Sequence, residues 1–230
     1  MTVTSLAFRR AGPGRHPVPH KNKTVGGRLL GLEMQGNLYS LGYFSANVCL
    51  GTPAQRFDVI IDTGSSLTAV PCADCNHCGN HRHPTYVSAR YDSQASSTFS
   101  AAGSRPYSVS YTEGSSIRGR IVHDVAWFEE LGAGRRVACP ATFGCQTHET
   151  GLFNSQVADG ISGFSRSRSY GATLFDALRE ATGAPDVFSI CLDEEVGALV
   201  LGGAVRPGLP LEWVAYSGGD SYYVPLWLGL

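Results

Sequence analysis

Apolar residues in this chain arrive in short alternating or β-branched runs broken by glycine, and that pattern limits the fold more than any other feature. LYSLGYFSANVCLG, residues 38–51, alternates large and small side chains and then turns at Gly51-Thr52-Pro53. RFDVIID, ending at Asp62, crowds β-branched residues ahead of a glycine, so the two runs predict a hairpin turning at GTPAQ. PYSVSYTEGSSIRGRIVHDVAWFE predicts a second hairpin with its turn at Glu113-Gly114. CPATFGC reads as a short strand, and ADGISGFS as a strand running into a turn. FSICL with GALVLGG reads as a strand pair, and SYYVPLWLGL as a last strand. One helix is predicted in ATLFDALREATG: Leu174, Ala177 and Leu178 share a face, Thr173 and Asp176 can form a capping box, and Gly183 can close the end. The expectation is a mostly β protein with one clear helix and no internal repeat.

Residues 1–36 are basic, hold Pro, Gly and His, and lack periodicity; they read as a disordered leader or the remnant of a pro-segment. Residues 71–105 carry cysteines, histidines and the run SQASSTFSAAGS, and read as an irregular, cross-linked surface loop. With 43% hydrophobic residues over 230 positions the chain can bury a sizeable core. Its formal net charge of -1 gives no reason to expect nucleic acid or an anionic membrane as partner. The N-terminus has no apolar run of signal-peptide length, and no stretch of about 18 apolar residues predicts a membrane span.

Asp62 ends a β-branched run and opens Asp62-Thr63-Gly64-Ser65-Ser66. A lone D-T-G is more often a turn than a site. Here the preceding run carries the chain through a core, the glycine permits a tight turn, and Thr63 and Ser65 set hydroxyls beside the carboxylate. Hydroxyls and amides so placed keep a carboxylate ionised and oriented.

VIIDTGSSL resembles the first active-site motif of pepsin-like aspartic proteases. Downstream, VSYTEGSS resembles the flap hairpin of that family, with Tyr111 in the flap-tyrosine place and Gly114-Ser115 at the tip. ADGISGF resembles the segment that underpins the first active-site loop, and FSICL with GALVLGG the strands that link the two lobes. The four motifs follow in the family's order over roughly residues 39–230. PCADCNHCGNHRHPTY followed by SSTF resembles the cysteine-rich insertion of nepenthesins and, more closely, of the plasmepsin V-like export proteases.

The resemblance implies a pepsin-like fold: an N-terminal catalytic lobe over 37–187, with its insertion at about 71–105, then interlobe strands and the start of a C-terminal lobe over 188–230. It implies an aspartic-type endopeptidase acting on a peptide or protein substrate, without cofactor or metal, and a monomer when full length. Asp62 is then one of two catalytic aspartates, supported by Thr63, Gly64 and Ser65, while Tyr111, Gly114 and Ser115 close over substrate. Two departures stand out. Ala69 occupies the place of the family tryptophan that meets the flap tyrosine. No second D-[ST]-G follows an apolar run, since Asp159, Asp193 and Asp220 all lack that context. Together with the missing signal sequence this reads as a truncated chain, inactive alone. The alternatives are a catalytically inactive pepsin-fold protein that binds peptides and a zinc-stabilised β binding module.

The seven cysteines predict up to three disulfides and one leftover thiol, hence the lumen of the secretory pathway. Asn22-Lys23-Thr24 is a glycosylation sequon pointing the same way. Connectivity stays open. Cys139 and Cys145 stand near enough in sequence to pair or can be two buried thiols. Cys72, Cys75 and Cys78 can pair with distant cysteines or across a tight loop, although neighbours in C-x-x-C seldom pair in structural frameworks. Zinc at CADCNHCGNHRH, using these cysteines with His77, His81 or His83, is the remaining reading. His123, Asp124 and Ser167 lack a nucleophile elbow and do not suggest a hydrolytic triad.

Overall fold

The structure, a computed structural model, describes residues 5–9, 30–83, 86–87, 90–129, 135–203 and 219–222. Its strands in chain order are β1 (Ser5–Arg9), β2 (Leu30–Asn37), β3 (Tyr43–Leu50), β4 (Gln55–Asp62), β5 (Ala69–Pro71), β6 (Arg82–His83), β7 (Tyr86–Val87), β8 (Ser100–Ser110), β9 (Ser116–Glu129), β10 (Arg136–Glu149), β11 (Gly160–Gly163), β12 (Val187–Leu192) and β13 (Val196–Leu201). Eleven of them form one sheet in the order β1-β12-β13-β2-β3-β4-β11-β5-β10-β9-β8, folded so that β3 also pairs with β9; β6 and β7 form a separate ribbon. The mostly β architecture expected of a pepsin-like chain is present, including both hairpins.

Period-two burial explains the strands. Along the second half of β9, Asp124, Ala126 and Phe128 point inward while their neighbours are more exposed. The larger core gathers Phe57, Phe143, Phe164, Phe175 and Phe188. A smaller one, made of Leu67, Ala69, Tyr107, Ile117, Ile121, Phe153 and Ile161, lies under the β8–β9 turn. Helix α1 (Leu174–Thr182) starts where Thr173 Oγ1 accepts from Asp176 N at 3.1 Å and Asp176 Oδ2 accepts from Thr173 N at 3.1 Å. It stops at Gly183, whose φ of 68° lies in the left-handed region that favours glycine. Leu174, Phe175 and Leu178 bury the inner face against the larger core, with Ala177 packed beside them.

Several expectations need correction. The stretch expected to be a disordered leader contains β1, which pairs with β12, and β2, which is central to the sheet. The irregular segment ends at Ser100 rather than 105, where β8 begins, and it is not wholly at the surface. Tyr91 within it is 1% exposed, sits edge-on against Phe143 and donates its hydroxyl to Asp124. CPATFGC is the middle of a 14-residue strand. The last predicted strand, from 223 on, and the Asn22 sequon lie outside the described residues.

Cys72 is bonded to Cys145 and Cys75 to Cys78, while Cys49, Cys139 and Cys191 are free. Cys139 and Cys145 lie on one extended strand, where six residues span about 20 Å, so they cannot meet. Cys75 and Cys78 can, because the chain bends between them and leaves their Cα atoms 5.7 Å apart. Cys72–Cys145 closes a loop of sequence separation 73 and fastens the insertion to β10. The double change of Cys72 and Cys145 to alanine lowers unfolding stability by about 3 kcal/mol, read in urea melts; an unchanged midpoint contradicts a stabilising role.

Candidate active site

Asp62 is the last residue of β4, at the end where β4 and β11 run parallel, and it pairs in register with Gly163. The chain then turns, and Gly64 N donates to Asp62 Oδ1 at 2.7 Å, which fixes the carboxylate rotamer. The ADGISGF segment holds this loop from beneath. Phe164 N donates to Asp62 O at 2.7 Å, Ser165 N to Ser65 O at 2.8 Å, and Gly163 N to Leu67 O at 3.1 Å. A Cβ on Gly163 would sit 2.6 Å from the carbonyl carbons of Ser65 and Ser66, so the approach of the two backbones requires glycine.

Ser65 thus supports the loop through its carbonyl, not through its hydroxyl. The hydroxyl is buried and lies beside the Tyr111 phenol. Two residues that the sequence does not single out do more: Thr68 Oγ1 and Ser162 Oγ are 3.0 Å apart in the interior, bridging the loop and its support. Deeper still, Asp58 N donates to Asp159 Oδ2 at 2.8 Å, Asp159 N returns a bond to Asp58 O at 2.7 Å, and Ser45 Oγ donates to Asp58 Oδ2 at 2.8 Å. Asp159 is therefore a brace for β4 and not a partner for Asp62. Among the described residues no second carboxylate contacts Asp62.

The β8–β9 hairpin turns over residues 111–115, with Tyr111 N donating to Ser115 O at 2.8 Å and Gly114 N to Tyr111 O at 3.0 Å. Gly114, φ 96°, is exposed at the tip. The Tyr111 ring packs on Phe153 with centroids 5.2 Å apart, and its hydroxyl is buried beside the Ser65 hydroxyl. Burial first, then the nearby Asp62 charge, pushes the Tyr111 phenol well above its usual pKa against a smaller downward pull from the Ser65 hydroxyl, so it stays neutral. Ser115, assigned above to the tip, is 1% exposed. Its Oγ accepts from Leu152 N at 2.9 Å and ties the hairpin base to the following 3-10 turn, Gly151–Asn154. Ala69, in the tryptophan place, pairs with Gly144, and a Cβ on Gly144 would meet the Tyr107 phenol at 2.6 Å. Two small residues thus make a floor on which Tyr107 lies.

The insertion is fixed beside this site. All three of its cysteines are spent in disulfides, which removes the thiolates a zinc site there needs. His81, a suggested ligand, is buried and sits 3.1 Å from Glu149 Oε2, which also accepts from Gly79 N at 2.8 Å. Burial pushes the His81 imidazole down, but the Glu149 carboxylate outweighs it and the pKa is raised. A folded pKa above the unfolded value stabilises fully below about pH 6.5, and that contribution is lost as pH rises through the folded pKa. In thermal melts across that window the wild-type protein loses stability relative to His81→Gln as pH rises; parallel curves contradict the pairing.

The profile of the family described as Xylanase inhibitor N-terminal matches residues 44–203. Aspartic protease 5 of Toxoplasma gondii is 33% identical over 221 residues, covering 84% of this chain. Plasmepsin V of Plasmodium falciparum is 29% identical over 184 residues, covering 74%, and chymosin of Ovis aries 33% over 194 residues, covering 81%. This chain belongs to the pepsin-like aspartic protease family. It spans 22%, 31% and 45% of the lengths of those three relatives.

Proposed function

We propose that this chain is the N-terminal catalytic lobe of an aspartic endopeptidase, with interlobe strands from 188 on, and that Asp62 is one of its two catalytic carboxylates. The observation that carries this is the seating of Asp62: its backbone is bonded to Phe164, its carboxylate to Gly64, and it stands at the mouth of a parallel strand pair. A second lobe supplies the other aspartate. Two carboxylates about 3 Å apart cannot both ionise and share one proton. The ionised member takes a proton from water while the protonated one hydrogen-bonds the substrate carbonyl, and no covalent intermediate forms. Tyr111 and Gly114 on the hairpin close over the peptide and exclude water.

The substrate is a peptide or protein, and the two-lobed protein is a monomer. The two disulfides support a place in the lumen of the secretory pathway. No described helix is long and apolar enough to cross a membrane. A second reading, a pepsin-fold protein that binds without cutting, draws on the inhibitor in the matching family's description. Peptide cleavage by the two-lobed protein, set against the 230-residue chain alone, decides between them. Turnover by the first and none by the second supports the proposal; binding without turnover by the two-lobed protein supports the second reading.

A further inference from the structure

His77 and His148 form a pair of imidazoles that the proposed activity does not use. His77 lies in the insertion, inside the turn closed by Cys75–Cys78, and His148 lies near the end of β10. Their backbones are held in register by a parallel bridge, with Glu149 N donating to His77 O at 2.9 Å. Gly79 is seated against Asn154 so closely that a Cβ there would fall 2.7 Å from its Cα. The two histidines therefore cannot drift apart. Their ring centroids are 5.1 Å apart, with planes inclined at 57°.

That separation is compatible with a shared metal ion. A metal–nitrogen bond of about 2.0–2.1 Å puts each ring centroid about 3.2 Å from the ion, and a tetrahedral angle then separates the centroids by about 5 Å. His148 Nδ1 is buried without a hydrogen-bond partner among the described residues, so its ring has a nitrogen not committed elsewhere. Arg118 pairs with His148 across strands β9 and β10 and sets a positive charge beside its ring. His77 is exposed, which leaves the site open to an incoming ion.

We propose that His77 and His148 bind a divalent first-row transition-metal ion, such as Cu²⁺ or Zn²⁺, that clamps the cysteine-rich insertion to strand β10. Imidazole pairs select such ions over Mg²⁺ or Ca²⁺, which require oxygen ligands. Cys75 and Cys78 contribute nothing while joined to each other, and among the described residues no third histidine, cysteine or carboxylate completes the set. Water fills the remaining positions, so the ion exchanges readily. The Arg118 charge beside His148 opposes binding.

Calorimetric titration of the 230-residue chain, disulfides intact, with CuSO₄ and with ZnCl₂ at neutral pH tests this. The wild-type chain takes up a saturable ion; His77→Gln and His148→Gln each lose at least about tenfold in affinity while keeping the wild-type far-UV circular dichroism. Arg118→Gln leaves both ligands in place and tightens binding. No saturable uptake by the wild-type chain, or uptake that survives in both histidine variants because the ion sits on His16, His20 or elsewhere, overturns the site. So does the failure of Arg118→Gln to tighten the complex with either metal.

Discussion

Asp62→Asn in the two-lobed protein lowers kcat/KM for peptide cleavage by about 10³-fold or more, with a melting temperature close to wild type. The amide keeps the size of the carboxylate and can still accept from Gly64 N through its oxygen, so the loop geometry of the native site is retained. What is lost is one carboxylate of the proposed proton-sharing pair, and nothing nearby replaces it: Asp159 is engaged with Asp58, and among the described residues no other carboxylate touches Asp62. Steady-state kinetics with a peptide substrate, alongside thermal melts of the same preparation, separates this from unfolding. A variant that cleaves at near wild-type rate shows that Asp62 is not one of the catalytic pair.

Gly163→Ala produces the second large effect, on both stability and rate. The added methyl would have to sit 2.6 Å from two backbone carbonyl carbons, where no side-chain rotation relieves it. Either β11 moves away from β4 or the loop of residues 62–66 shifts. We expect a loss of about 3 kcal/mol in unfolding stability, read as a lower urea midpoint. Because the displaced atoms belong to Ser65 and Ser66, a shift of about 1 Å at the carboxylate costs about 100-fold in kcat. A methyl accommodated with full activity means that ADGISGF does not position the catalytic loop.

Much of this is legible in the residues. The hairpin over 43–62, the capping box of Thr173 and Asp176, and the left-handed Gly183 all follow from local chemistry, and locally determined features are the ones a sequence displays. Strand β2 carries a local signal too: Leu30, Leu32 and Met34 alternate into the core, a period-two pattern that the basic residues before it obscure. Strand β10 reads short because Pro140 and Gly144 interrupt its propensity. In the fold Pro140 is an exposed strand position, and Gly144 makes room for the Tyr107 ring, a demand set by another strand. Disulfide pairing and the Thr68–Ser162 contact are not legible, since they join residues brought together by the fold. The role of Ser115 escapes the sequence for the same reason: only the packed turn at Gly151–Asn154 shows that its hydroxyl faces inward.

A statine-type transition-state analogue mimics the tetrahedral intermediate that water attack creates, so it binds tightly only where two carboxylates are set to share a proton. Calorimetric titration of the two-lobed protein with such a compound is the most direct test of whether Asp62 belongs to that pair. One molecule per protein is expected to bind, with affinity at least about 100-fold weaker for Asp62→Asn. Equal affinity for the wild-type and Asp62→Asn proteins, or no binding to either, contradicts the assignment.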